Sequence, residues 1–244
     1  MAAPRFFVPE PLDRACVGTT IELPSAVAHH ATRVLRHGVG AALTLFDGTG
    51  GEYAVELVAV DKRGASVRVD AFDPVERESP LAVTLAQAVV ANDAMDYALR
   101  KATELGVTAI QPVIAARSAA LPSGDRADRR RAHWQQIAVA ACEQCGRNRV
   151  PEVCAPLSLS NWLAGWPDGG VLFEPTATMT LPALEKPPSA VLIGPEGGFT
   201  TAEIEAAARA GFSAVRIGPR VLRTETAGLA ALAAMGVLWG DWRE

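Results

Sequence analysis

Three runs of alternating apolar and polar residues dominate the first third of the chain: ALTLFDG (42–48), GEYAVELVAVD (51–61) and ASVRVDAF (65–72), separated by Gly-containing turns. A period of two places every second side chain on one face, the pattern of a half-buried strand. HHATRVLRH (29–37) interrupts the series with spacing for one or two helical turns. Residues 1–73 therefore predict a small β-barrel or sandwich carrying a basic helix. PVERESP (74–80), charged and with a proline at each end, predicts a linker.

From residue 81 the period changes. LAVTLAQAV predicts a strand, and NDAMDYALRKATELG a helix that stops at Gly106, with Asp93 expected as its N-cap. TAIQPVI is another strand, and RAHWQQIAVAACEQC (131–145) another helix. GGVLFEP, SAVLIG and SAVRIG (213–218) read as buried strands. Thr200 and Glu203 have capping-box spacing for a helix over TAEIEAAARAGF, which ends at Gly211. Strands alternating with helices imply a mostly parallel sheet covered on its faces, so 81–244 predicts an α/β domain.

Composition narrows the class without naming a chemistry. At 49% hydrophobic and 20% charged the chain is globular. The start has no apolar run behind a basic segment, and AGLAALAAMGVLWG near the end is short for a bilayer and reads as a buried helix. A cytoplasmic protein without a membrane partner is expected. Cys142 and Cys145 form a lone C-x-x-C at the end of a helix, where the dipole disfavours thiolate. No second pair completes a zinc site, so a structural role and no metal are expected. Net charge is −4, yet only Lys62, Lys101 and Lys186 of the 23 basic residues are lysines. The arginines cluster at 33 and 36, at 126 to 131, at 147 and 149, and at 220 and 223. Arg forks suit phosphates and base edges, although solvated helix faces would use them as well.

Ligands of open α/β sheets bind beyond the carboxyl ends of strands. FEPTAT (173–178), GPEGGFT (194–200) and GPRVLRTETA (218–227) fall there. GPEGGF is neither a dinucleotide fingerprint nor a phosphate-binding loop, and Glu196 would repel a phosphate. A cationic, phosphate-free ligand such as S-adenosylmethionine would meet no such repulsion, and the glycines let backbone approach adenine and ribose. A plain tight turn is the alternative. In the second loop Val221 and Leu222 can flank an adenine, and Arg223 can meet an anionic oxygen; Thr224 or Thr226 can cap the helix that follows.

With RFFV (5–8), HATRVLR (30–36), LFDG (45–48), KATELGV (101–107), IAVAACEQCGRNRVPEV (137–153), LIGPEGGFT (192–200) and GPRVLRTETA in order, the chain resembles the RsmE family of 16S rRNA uridine-N3 methyltransferases, in the SPOUT superfamily. The likeness covers nearly the whole chain. It implies a PUA-like RNA-binding β-barrel over 1–73 and, over 81–244, a SPOUT α/β domain with a trefoil knot, acting as a homodimer on 16S rRNA or the 30S subunit. It also implies an S-adenosylmethionine pocket made of Phe173, Glu174 and Pro175, of Gly194, Pro195, Glu196, Gly197 and Gly198, and of Ile217, Gly218, Val221, Leu222, Thr226 and Ala227.

Uridine N3 becomes nucleophilic as its imide proton leaves, so charge spreading onto O2 and O4 needs a stabilising group. Arg223 is expected in that role, and Glu225, with Glu143 as its rival, as proton acceptor. Arg5, His30, Arg33, Arg36, Arg147, Asn148 and Arg149 are expected to contact RNA. One stretch departs from the family pattern: Ala91-Asn92-Asp93 stands where members often carry a basic residue with Gly. Open alternatives are a SPOUT enzyme of other RNA specificity and an inactive RNA-binding assembly factor.

Overall fold

The computed structural model describes residues 3–120 and 124–242, which form two compact units. The first runs to Glu78 and takes back Cys142–Val150; the second comprises Ser79–Ala141 and Pro151 onward.

In the first unit β1 (Arg5–Phe7), β2 (Thr20–Glu22), β3 (Ala42–Phe46), β4 (Glu52–Val60) and β5 (Ala65–Asp73) form one sheet in the order β1-β3-β4-β5-β2. Only the β1–β3 pairing is parallel. The alternation works as expected: Tyr53, Val55 and Leu57 of β4 and Val67 and Val69 of β5 point inward. They meet Phe6, Leu43 and Leu45, together with Val27 and Ala28 of α1 (Ser25–His29). A π-helical turn, His30–Val34, continues α1. Two residues beyond it, Arg36 has φ +60°, the one non-glycine with positive φ among the described residues.

Residues 74–78 are not a free linker. Gly51 N–H donates to Glu76 at 3.0 Å, and the carbonyl of Val75 accepts from Asn148 Nδ2 at 2.7 Å. Glu78 takes two bonds from the Arg147 guanidinium, at 2.6 and 2.8 Å, and one from Arg149 N–H at 3.1 Å. The contact-defined boundary thus falls at Glu78 rather than at residue 73. Charges in 74–80 suggest solvent only until their partners, some 70 residues downstream, are known.

The second unit holds β6 (Thr84–Ala88), α2 (Asn92–Glu104), β7 (Ala109–Ile114), α3 (Asp125–Cys145, whose end from Cys142 belongs to the first unit), β8 (Glu152–Val153) and β9 (Leu157–Ser158). Then follow α4 (Leu159–Gly165), β10 (Gly170–Phe173), β11 (Ala190–Ile193), α5 (Thr201–Arg209), β12 (Phe212–Val215) and α6 (Thr224–Trp239). The sheet is parallel throughout, ordered β12-β10-β11-β6-β7-β8, with β9 also on β7. The central strands β6 and β11 are almost wholly buried, as parallel strands under helices must be.

Thr200 and Glu203 make the capping box. Gly106, at φ +85°, ends α2, and a Cβ there would lie 2.7 Å from that of Ser79. Asp93 is not the N-cap: α2 starts at Asn92 behind Ala91, which makes no side-chain cap, and Asp93 sits in the first turn facing the positive end of the dipole. Cys142 is buried, its Sγ 3.6 Å from the carbonyl of Arg149. Burial pushes its thiol up to about 12, which opposes redox or metal-ligating reactivity. No helix of the described residues is long and apolar enough to cross a membrane.

Candidate active site

Strands β10, β11 and β12 are neighbours in the sheet, and their carboxyl ends open on one cavity of about 300 Å³. Its walls come from three segments separated in sequence: Phe173 to Pro175 after β10, Ile193 to Phe199 after β11, and Val215 to Ala227 from β12 into α6. The two glycine-bearing loops singled out in the sequence therefore share a single pocket.

The loop after β11 is a tight turn closed by Gly198 N–H on the Pro195 carbonyl at 2.8 Å, with Gly198 at φ +68°. A side chain at Gly194 would meet the Phe199 ring at 3.0 Å. The turn is tied to α6 by Thr224, a buried residue whose Oγ1 donates to the Gly194 carbonyl at 2.6 Å and accepts from Gln87 Nε2 at 3.0 Å. Gln87 lies fully buried on β6, and its Oε1 has no partner among the described residues. One hydroxyl thus joins the central strand, the glycine turn and the start of α6.

Behind the turn, Glu203 is held by three hydrogen bonds. Its two oxygens accept from Thr200 N–H and Oγ1, at 2.7 and 2.9 Å, and from Ala116 N–H at 2.7 Å. Burial pushes the Glu203 carboxyl up, but the backbone bonds from Thr200 and Ala116, the Thr200 hydroxyl and the Arg117 charge outweigh it. The group is held below the ordinary carboxylate range. Glu174 accepts from Thr176 N–H and Oγ1 at 3.3 and 3.0 Å, which shapes the turn after β10.

Of the residues expected around a cofactor, Phe173, Glu174, Pro175, Gly194, Pro195, Glu196, Gly198, Ile217, Gly218, Val221, Leu222 and Ala227 line the cavity. Gly197 and Thr226 do not. Gly197 faces outward onto the Arg117 side chain, and Thr226 lies exposed on the first turn of α6. Arg223 lines the cavity and is exposed at its mouth. Glu225 is outside the lining, so the carboxylates that the cavity does contain are Glu174 and Glu196. Glu143 belongs to the other unit, where it accepts the Phe7 N–H at 3.0 Å. The sequence reading missed Arg216 and Arg220, which also line the cavity, and the buried Thr224–Gln87 pair. Arg220 was within reach, since it opens the loop already singled out; Gln87 carried no local signal in an apolar strand.

The comparisons with known proteins bear on this arrangement. A family model described as an RNA methyltransferase domain matches residues 77–236, and one described as an RNA methyltransferase PUA domain matches 23–70. Ribosomal RNA small subunit methyltransferase E of Bacillus subtilis is 31% identical, over 95% of both chains. The solved structure of the Neisseria gonorrhoeae enzyme of the same name, bound to S-adenosyl methionine, is 41% identical; the match covers 99% of this chain and 100% of that one, with TM-score 0.91. This chain belongs to the ribosomal RNA small subunit methyltransferase E family. A Legionella pneumophila methyltransferase structure with bound SAM is 34% identical over 99% of this chain and all of that chain, with TM-score 0.93. The first unit is accordingly the PUA-like domain of the family, and the second its parallel-sheet α/β methyltransferase domain.

Within the PUA-like unit the residues expected to meet RNA divide sharply. His30, Arg33 and Arg36 are exposed, on or just beyond the π-helical turn, and no Asp or Glu occurs from Leu23 to Phe46. Arg149 is exposed beside Glu76. Arg147 and Asn148 are corrections to the sequence reading. Both are buried, Arg147 on Glu78 and Asn148 between Val75 and Arg5, so neither presents polar groups to a ligand. Arg5 is also engaged internally: it pairs with Glu52 and donates to Asn148 Oδ1 at 2.6 Å. Burial pushes Glu52 up, but hydrogen bonds from Arg77 and Arg5 outweigh it and hold the carboxyl below its usual range. In sequence, the Arg-Asn-Arg run looks like a nucleic-acid contact because a one-dimensional reading cannot see which arginine folds onto Glu78.

Proposed function

We propose that this chain transfers a methyl group from S-adenosylmethionine to N3 of a uridine in 16S rRNA. The observation that carries this reading is the convergence of three strand-end loops on one cavity with Arg223 at its mouth. The cavity suits the donor. Its volume lies at the lower end of the roughly 300–1,000 Å³ range of ligand pockets. Ile217, Val221 and Leu222 offer apolar surface for an adenine, and the turn 194–198 offers backbone to adenosine hydroxyls. Glu174 and Glu196 favour a cation, whereas Arg216 and Arg220 favour a carboxylate.

S-adenosylmethionine supplies a methyl group activated by a sulfonium. Arg223 would stabilise the negative charge that spreads over the uracil oxygens as the N3 proton passes to solvent at the exposed cavity mouth; N3 would then take the methyl as its bond to sulfur breaks and a neutral thioether leaves. The cavity walls hold the donor and exclude water around it. His30, Arg33, Arg36 and Arg149 are proposed as phosphate contacts on the PUA-like unit. The uridine is proposed to be unpaired or flipped, since its Watson–Crick edge reacts. A cytoplasmic homodimer is proposed as the working form, a reading supported by the family resemblance and by Val221, which is 78% exposed at the cavity rim.

Mass spectrometry of 16S rRNA nucleosides from a deletion strain tests the reading. The N3-methyluridine should be absent, return with the wild-type gene and fail to return with Arg223→Ala. Its persistence in the deletion strain would refute the assignment.

A further inference from the structure

The turn 194–198 is gripped from outside the cavity by a side chain far away in sequence. Arg117, in the loop after β7, donates from Nη1 to the Gly197 carbonyl at 2.6 Å. A Cβ on Gly197 would stand 3.0 Å from Arg117 Cδ and 3.3 Å from its Cβ, so the arginine stem lies flat against the back of the turn. The preceding residue, Ala116, gives its N–H to Glu203 at 2.7 Å, the same carboxylate that closes the Thr200 capping box. Two consecutive residues of one loop therefore hold the turn and the helix start that follows it. The neighbours of Gly197 face the cavity while its own carbonyl is taken from behind.

A turn with glycine at 194, 197 and 198 has wide conformational freedom when unheld. Its single internal backbone bond, Gly198 N–H to Pro195, anchors only the N–H side of the peptide whose other side is the Gly197 carbonyl, and Arg117 takes that second side. Fixing that peptide before the ligand arrives removes an ordering cost from binding. Arg117 is itself exposed, so its bond adds little to the stability of the fold.

We propose that Arg117 is a positioning residue, which presets the glycine turn for the methyl donor without touching the donor. This rests on the donor reading given above. Isothermal titration with S-adenosylmethionine on the full chain tests it, using wild type, Arg117→Ala and Arg117→Lys. Arg117→Ala should weaken binding by about three- to tenfold, the loss of one charge-assisted bond at an exposed site. Arg117→Lys should recover part of that, and the unliganded melting temperatures should agree within about 2 °C. Methyl transfer to 16S rRNA should show a raised KM for the donor with kcat retained. Alanine affinity within twofold of wild type would overturn the proposal. So would a parallel fall in affinity and unliganded melting temperature that Lys does not correct. A wild-type protein giving no heat with the donor would overturn the donor reading itself, and Arg117 with it.

Discussion

Replacing Thr224 with Val removes one oxygen and almost no volume, and the structure allows the effect to be sized. Thr224 Oγ1 donates to the Gly194 carbonyl at 2.6 Å and accepts from Gln87 Nε2 at 3.0 Å. Both bonds are neutral, each worth about 1 kcal/mol net. The substitution also strands a polar group: Gln87 is fully buried and its Oε1 already lacks a partner, so its amide keeps only the Ala88 carbonyl at 3.2 Å. Stranding such a group adds about 1 kcal/mol or more, giving a total near 3 kcal/mol. For a domain of this size that is a fall of about 6–12 °C in melting temperature. Thr224→Ser retains the hydroxyl and should stay within about 1 kcal/mol of wild type. Urea unfolding and donor titration on both variants provide the measurement. If Thr224→Val unfolds within about 0.5 kcal/mol of wild type, an effect no larger than that of an ordinary surface change, then the hydroxyl does not hold the turn.

Three other outcomes are expected. Arg147→Ala should destabilise the PUA-like unit by about 2–3 kcal/mol, because Glu78 loses both guanidinium bonds and keeps the Arg149 N–H, whereas Arg149→Ala, on an exposed pair, should cost under about 1 kcal/mol. Of the two, only Arg149→Ala should flatten the salt dependence of rRNA binding without unfolding; equal stability losses would refute the distinction. Because the folded-state Glu203 carboxyl is depressed, its contribution is fully present above its ordinary value near 4.5 and vanishes as pH falls through the lower folded value. Glu203→Gln should therefore lose less stability than wild type between about pH 5 and 3 in urea midpoints, and parallel curves would refute the claim. Cys142 should resist iodoacetamide at pH 8 in the native protein and react once unfolded; rapid native labelling, mapped by peptide mass, would contradict its burial.

The parts of this molecule that could be read without coordinates are those whose cause is local. Period-two alternation gave β3, β4 and β5, and capping-box spacing gave the start of α5. Gly-Pro after a strand marked the two loops that meet at the cavity. Elements too short to show a period escaped: Arg5–Phe7, Thr20–Glu22, Glu152–Val153 and Leu157–Ser158 are strands only because a neighbour offers them a ladder. The helix Leu159–Gly165 is similarly brief, capped by Ser158 on Asn161 N–H. Long-range polar partners escaped too. Nothing near Arg147 announces Glu78, and nothing near Gly197 announces Arg117, for each bond spans about 70–80 residues. Asp93 misled for the opposite reason, since a favourable cap type two positions too late serves the dipole instead.

The return of Cys142–Val150 to the first unit has a consequence for how the polypeptide acquires its shape during translation. Five strands emerge early, yet Glu78 must wait for Arg147, and Val75 for Asn148, to leave the ribosome. Until then the nascent N-terminal sheet carries unneutralised carboxylates and an incomplete wall. Vectorial synthesis therefore cannot finish that lobe first. Its closure is deferred until Cys142–Val150 has emerged.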